Sequence, residues 1–241
     1  MNARFACFVT GTDTEIGKTL ISCALLYTLA QQGLRATGMK PVAAGAELRD
    51  GTWHNDDADM LAAASSVKLA PELATPYLLP AAAAPHISAK LHGIEIKSTH
   101  IDDCYRQITP LSDAVVVEGV GGFRVPLSGG YDTADMAVQF GLPVVLVVGM
   151  RLGCINHALL TAETIAARGL KLAGWVANTV DAAMPYLAEN IEALRQNLNA
   201  PLLGTVPRLP EVSAALAASH LNFSCLPGWP GKLSFNDAKD F

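Results

Sequence analysis

Between Phe8 and Leu20 the chain reads FVTGTDTEIGKTL, and no other stretch restricts the fold so tightly. An apolar run, Phe5–Thr10, leads into a glycine-bearing loop closed by Gly17-Lys18-Thr19, and a helical pattern over Lys18–Gln32 continues until Gly33 stops it. Strand, loop and helix in that order gather backbone N–H groups and a helix N-terminus around one point, which favours an anion. Lys18 is then placed to pair with terminal phosphate oxygens, and the Thr19 hydroxyl to ligate Mg²⁺. Gly11 lies one residue too early for the usual G-x-x-x-x-G-K-[ST] spacing, and Asp13 and Glu15 put carboxylates into a loop suited to an anion. The extra residue lengthens the loop, so neither acid has to face the phosphates; a carboxylate at the rim meets a cationic substrate instead. The plainer alternative is a strand–turn–helix with an incidental lysine.

Further apolar strands are predicted at Leu34–Lys40, Asp113–Glu118, Pro143–Val148, Leu172–Asn178 and Leu202–Val206, and helices at Asp56–Ser65, Ser98–Thr109, Ile155–Arg168 and Pro185–Asn197. The run Ala81–Ala84 before Pro85 shows no clear period. Strands that are apolar throughout are buried on both faces, which demands a parallel sheet covered by helices. Strand–helix alternation along the chain therefore predicts a doubly wound α/β domain over residues 1–224. Residues 225–241, rich in Gly, Pro and polar side chains, read as an extended C-terminal tail. With 51% hydrophobic and 16% charged residues, the chain is able to fill such a core. The net charge of −5 speaks against a general nucleic-acid binder. Five scattered cysteines with no C-x-x-C pair suit reduced thiols in a cytoplasm, not a disulfide framework or a zinc site. The most apolar stretch, Leu142–Met150, is about half a membrane span. No targeting or membrane segment is expected, and the location expected is cytoplasmic.

Other residues gather at predicted strand ends, where a parallel α/β sheet places its ligands. Glu118 closes a buried strand ahead of Gly119, Gly121 and Gly122, and is a candidate Mg²⁺ ligand or an acid capping a turn. Asp56, Asp57 and Asp59 offer further metal ligands, while Asn55 or Asp56 equally suits the N-cap of the helix that follows. Lys40, followed by Pro41, faces the same crevice unless it is a solvated lysine. Asn178 ends the strand in GWVANTVD as a base-edge contact that adenine satisfies better than guanine, or as a turn former. The six histidines show no metal spacing, and Cys154 and His157 read as packing at a helix start.

Together, GTDTEIGKT, KPVAAG, the Asp57 region, VEGVGG, LGCINHA and GWVAN resemble the dethiobiotin synthetase family in order and spacing, over nearly the whole chain to about Pro210. The family's own loop carries five residues between its glycines. The resemblance implies a P-loop NTPase-like three-layer fold with a mainly parallel sheet. It also implies a homodimer whose active site lies at the subunit interface, and a ligase that closes a cyclic urea from 7,8-diaminononanoate, CO₂ and ATP with Mg²⁺. Lys40 and Lys18 would be catalytic, and Thr19, Asp57 and Glu118 would hold the metal. ATP would contact Glu15, Ile16, Gly17, Lys18, Thr19 and Leu20 of the loop, Asp57, Glu118, Gly119, Val120 and Gly121 beyond it, and Asn178, Thr179, Pro207, Arg208 and Leu209 around the base. The substrate would meet Thr14, Glu15, Lys40 and Ala44, with its far carboxylate on the backbone N–H groups of Gly153, Cys154, Ile155 and Asn156 from the other subunit.

One position departs from the family pattern: Ala44 stands where a hydroxyl residue is usual, removing a substrate hydrogen bond of about 1 kcal/mol. Two other classes share the fold. An amide-forming synthetase of the cobyrinate type needs a glutaminase partner, for which no nucleophile elbow is visible. A partitioning ATPase carries an additional early lysine in its loop, where this chain reads Gly11-Thr12-Asp13.

Overall fold

The computed structural model describes residues 3–231. Its centre is a six-stranded, all-parallel sheet. The strands are β1 (Phe5–Gly11), β2 (Ala36–Met39), β3 (Ala114–Glu118), β4 (Val144–Met150), β5 (Leu172–Thr179) and β6 (Leu202–Val206), in the spatial order β6-β5-β4-β1-β3-β2. Every residue of β3 and β4 is buried, as uninterrupted valine-rich runs require. Side chains alternate between two layers. Cys7 and Val9 of β1 face α1 (Lys18–Gln31), α2 (Asp56–Ala64) and the short α7 (Ala214–Ala218). Phe8 faces the other layer, where α3 (Ser98–Ile108) and α4 (Thr133–Phe140) pack, and α5 (Cys154–Ala167) and α6 (Leu187–Asn197) continue that layer over β4 and β5.

The chain moves from β1 past the place of β3 to β2, returns to β3, then crosses to the far side of β1 for β4. The direction of winding reverses beside β1, and ligands of open parallel sheets settle outside the strand ends at such a point. Register aligns those ends: Val9 lies beside Glu118, Gly11 beside Val147, and Asn178 beside both Gly149 and Val206.

The predicted strands and helices are present, with ends displaced by a residue or two. Further pieces carry signals of their own. The hairpin Glu47–Arg49/Thr52–His54 turns on Asp50-Gly51, both at positive φ (49° and 80°), the geometry that an Asp-Gly pair favours. A helix begins at Pro85, just after the ambiguous alanines, with proline in its first turn. Helix α4 has a capping box: Asp132 accepts from Asp135 N–H at 2.9 Å, and Asp135 accepts from Asp132 N–H at 3.0 Å. Two short strand pairs, Val42–Ala44 with Tyr77–Leu79 and Pro126–Ser128 with Tyr131–Asp132, are also present, as are the short helical pieces Pro71–Ala74, Thr109–Leu111 and Ala214–Ala218.

The exposed side of β2 is closed without another strand. Ser66 and Ser65 accept from the N–H groups of Ala36 (2.8 Å) and Gly38 (2.9 Å), and Ala74 accepts from Lys40 N–H (2.9 Å). Of the segment expected as a tail, residues 225–231 turn back so that Leu226 is buried and Trp229 stacks edge-on to Phe5 at 5.1 Å; residues 232–241 lie outside the described residues.

Asp132 joins this cap to Arg124, whose Nε lies 2.5 Å from its carboxylate. Asp132→Ala is expected to lower stability by about 1–2 kcal/mol in urea unfolding, and an unchanged midpoint would show that the cap contributes nothing.

Candidate active site

Four side chains from four parts of the chain meet at the strand ends. Lys40 follows β2, Glu118 ends β3, Thr19 opens α1 and Asp57 opens α2. Lys40 Nζ donates to Glu118 Oε1 at 2.5 Å, to Asp57 Oδ2 at 3.0 Å and to the Gly119 carbonyl at 3.2 Å. The Thr19 hydroxyl lies 2.7 Å from Asp57 Oδ1 and 2.9 Å from Glu118 Oε1. Glu118 is wholly buried and Lys40 2% exposed. Burial alone would push the Lys40 amine down, but the Glu118 and Asp57 carboxylates outweigh it and hold its pKa above the ordinary value. Burial opposes ionisation of Asp57 too; Lys40 and the Thr19 hydroxyl overcome that and hold its carboxyl below the usual range.

These oxygens suit a small hard cation. Two carboxylates and a hydroxyl converge, and Glu118 Oε2 is buried with no hydrogen-bond partner. An all-oxygen set with few protein ligands is what Mg²⁺ accepts when phosphate and water supply the remainder. Asn55 settles the alternatives at the start of α2: its side chain accepts from Ala58 N–H at 3.3 Å and so N-caps the helix, leaving Asp57 free to face Thr19.

The glycine loop wraps round the end of β1. Lys18 is 6% exposed and donates to the Asp13 carbonyl at 2.8 Å. Burial, then the charge of Lys40, lowers its pKa to about 8. A Cβ at Gly11 would come 2.6 Å from Ile16 Cδ1, and Gly17, at φ 87°, would place one 2.3 Å from Asn178 Nδ2. The left-handed backbone at Gly17 therefore favours glycine, while a side chain at Gly11 would have to displace the end of Ile16. Thr14 and Glu15 are exposed at the rim, Glu15 with φ 56°. Asp13 turns away from the loop's hollow: one carboxylate oxygen accepts from Thr14 N–H at 2.8 Å and the other from Arg151. Neither Arg151 nor this role of Asp13 was indicated by residue type or spacing.

Asn178 donates its amide to the Ile16 carbonyl at 2.8 Å, so it braces the loop in addition to bordering the neighbouring cavity. That cavity, about 230 Å³, is lined by Leu20, Asn178, Thr179, Pro207, Arg208 and Leu209, and also by Glu211. All six residues named first belong to the predicted nucleotide set. A larger cavity of about 590 Å³ lies on another face of α2, among Thr37, Trp53, Ala62, Ser65 and Leu69; of the candidate metal ligands it takes in only Asp59, which pairs with His54 and stands apart from the Lys40–Glu118 cluster. Gly119, Val120 and Gly121 follow Glu118, with Gly121 at φ 63° beside Val125 and Thr14. Ala44 is half-buried, and its carbonyl accepts from Asn55 at 3.1 Å. Gly153, at φ 95°, precedes α5; Gly153 and Asn156 are exposed, Ile155 half-buried and Cys154 buried, its thiol pushed up by burial. No helix among the described residues is long and apolar enough to cross a membrane.

Comparison with known proteins gives a consistent result. A family model described as an AAA domain matches residues 6–215. The chain is 63% identical over 234 residues to a curated protein of Janthinobacterium sp. (strain Marseille), the ATP-dependent dethiobiotin synthetase BioD, covering 95% of this chain and 99% of that one. Among solved structures, a ParA family ATPase from Chlorobium tepidum TLS superposes with TM-score 0.55 at 12% identity, covering 86% of each chain. The MinC:MinD cell division complex of Aquifex aeolicus gives TM-score 0.53 at 16% identity, covering 89% of this chain and 86% of that one. At such identities these two structures establish the P-loop NTPase fold alone.

Since Lys18 is depressed in the folded protein, the unfolded chain holds more protons at this amine between pH about 8 and 10.5. Lys18 therefore adds stability as pH rises through that window, while the Cys7 and Cys23 thiols, pushed up to about 12 by burial, remove it. Lys18→Met should make the slope of stability against pH more negative than the wild-type slope; urea unfolding across the window checks this, and a wild-type slope no more positive than the variant's would contradict the desolvated amine.

Proposed function

The chain belongs to the ATP-dependent dethiobiotin synthetase family, enzymes of biotin synthesis, and from that kinship we propose that it joins 7,8-diaminononanoate and CO₂ into dethiobiotin at the strand-end cluster. One amine of the substrate adds to CO₂ and loses a proton, giving a carbamate. A carbamate oxygen attacks the γ-phosphorus of ATP, ADP leaves, and a carbamic–phosphoric anhydride remains. The second amine attacks the anhydride carbon, the C–O bond to phosphate breaks, and the urea ring closes with release of inorganic phosphate and a proton.

The observation that carries this reading is the convergence of Lys40, Lys18, Thr19, Asp57 and Glu118 at the switch point of the sheet. Phosphoryl transfer asks mainly for positioning and for charge set against the transferring oxygens. Lys18 holds the terminal phosphates and Lys40 neutralises carbamate and phosphate oxygens. Thr19, Asp57 and Glu118 would hold Mg²⁺, which when bound offsets triphosphate charge. Asn178 and Thr179 border the adenine, in a cavity that Pro207, Arg208 and Leu209 also line. Glu15 stands exposed at the rim, where a carboxylate attracts the cationic diamine; this gives an acid in a phosphate loop a purpose. The α5 start at Gly153–Asn156 takes the far carboxylate of the substrate in the partner's site of a homodimer. The described chain, residues 3–231, acts as one domain, since Leu226 and Trp229 pack on its core, and the enzyme works in the cytoplasm.

A partitioning ATPase on the same fold lacks a supporting observation, since the additional loop lysine of that class is missing at Gly11-Thr12-Asp13.

Incubation with the diamine, bicarbonate and MgATP is expected to yield the cyclic urea by mass spectrometry, while Lys40→Gln, checked as folded by circular dichroism, loses roughly 10²-fold in turnover. ATP consumption without urea would reject the reaction, and an active Lys40→Gln enzyme would reject the residue's role. Mixing Lys40→Gln with Asn156→Asp after subunit exchange should restore about a quarter of wild-type activity, because half the dimers then carry one intact shared site. Exchange without rescue would place each site within one subunit.

A further inference from the structure

Asp13 is the node of the lengthened loop. Its carbonyl takes the Lys18 amine, one carboxylate oxygen takes Thr14 N–H, and the other takes Arg151, 138 residues away in sequence. Arg151 directly follows β4, and that strand already touches the loop: the Val147 carbonyl accepts from Thr12 N–H at 3.1 Å. Gly149 N–H lies 3.4 Å from the Thr12 hydroxyl, and a Cβ at Gly149 would come 2.4 Å from Ile16 Cγ2. On its other side, the Arg151 carbonyl accepts from Cys154 N–H at 3.0 Å, closing the turn that starts α5 at Gly153. A single residue thus grips the nucleotide loop by its side chain and the helix start by its backbone.

We propose that Arg151 is a positioning residue that fixes the lengthened loop through Asp13 and couples its shape to the α5 helix start. A loop with an added residue has more conformations to lose on ordering. Lys18 reaches the phosphate position only if the loop holds one of them. The ion pair supplies that restraint from a rigid strand end, and it requires the carboxylate at position 13 that looks misplaced in an anion-binding loop. Both side chains are partly exposed, 45% for Arg151 and 41% for Asp13, so the pair is worth a modest factor in affinity. ATP held by the loop favours the conformation in which the pair is formed, and that conformation also sets the helix start. The part that concerns the diamine rests on the proposed function; the part that concerns nucleotide does not.

The test measures binding of ADP and of a non-hydrolysable ATP analogue by calorimetry, alongside steady-state kinetics, in Arg151→Gln, Asp13→Asn, the double variant and Arg151→Lys. Each single variant is expected to weaken nucleotide binding and raise the KM for diamine by about two- to fivefold, with kcat changed less than either. The double variant should be no worse than the weaker single, and Arg151→Lys should recover most of the loss. Nucleotide affinity unchanged in Arg151→Gln, additive losses in the double variant, or a fall in kcat that follows a lowered melting temperature would each overturn the proposal. If wild type makes no urea, the proposed reaction fails, and the calorimetric arm still decides the role of the Arg151–Asp13 pair.

Discussion

The site rests on a buried ion pair. Glu118 ends a strand with no exposure to solvent, and a carboxylate in that position is tolerable only beside a cation that also satisfies its hydrogen-bonding needs. Lys40 meets that need from the end of the neighbouring strand, and Thr19 and Asp57 complete the contacts. One interaction therefore fixes the relative places of β2, β3, α1 and α2 at the sheet's carboxyl edge. Removing either member of such a pair strands a charge, at a cost of about 3–5 kcal/mol. The same carboxylates would also suit a metal ion, so the Lys40 amine and such a metal would address one set of oxygens.

Much of the architecture was legible because the central strands are mostly apolar, β-branched runs bounded by glycine, proline or polar residues. Val144–Met150 has one reading as a strand once its length excludes a membrane span. The hairpin at Glu47–His54 was not seen because three-residue strands with exposed, mixed side chains give no period to detect; its Asp50-Gly51 turn was the available signal. Helix α4 was missed for a related reason. Eight residues are too few to establish helical periodicity, although Asp132, Asp135 and Gly141 mark both its ends.

The site was legible as parts. Residue type and position nominated Lys18, Thr19, Lys40 and Glu118 separately, only the family resemblance singled out Asp57 from Asp56 and Asp59, and the fold brings these five to one edge. What sequence did not reveal was the pairing. Lys40 and Glu118 are 78 residues apart, and Arg151 and Asp13 are 138 apart, so their contact depends on strand order, which local patterns leave open. Nor could composition indicate that Asp13 faces outward, because the direction of a loop carboxylate is decided by the partner it finds.

The Asn178 amide has a consequence for how this enzyme can change over time. One side chain borders the cavity of about 230 Å³ and also clamps the Ile16 carbonyl, packed so closely on Gly17 that no methyl group fits between them. Reshaping the cavity by substitution at that position would loosen the glycine loop in the same step. Changes that leave the loop intact are thus steered to the exposed lining residues Pro207, Arg208 and Glu211.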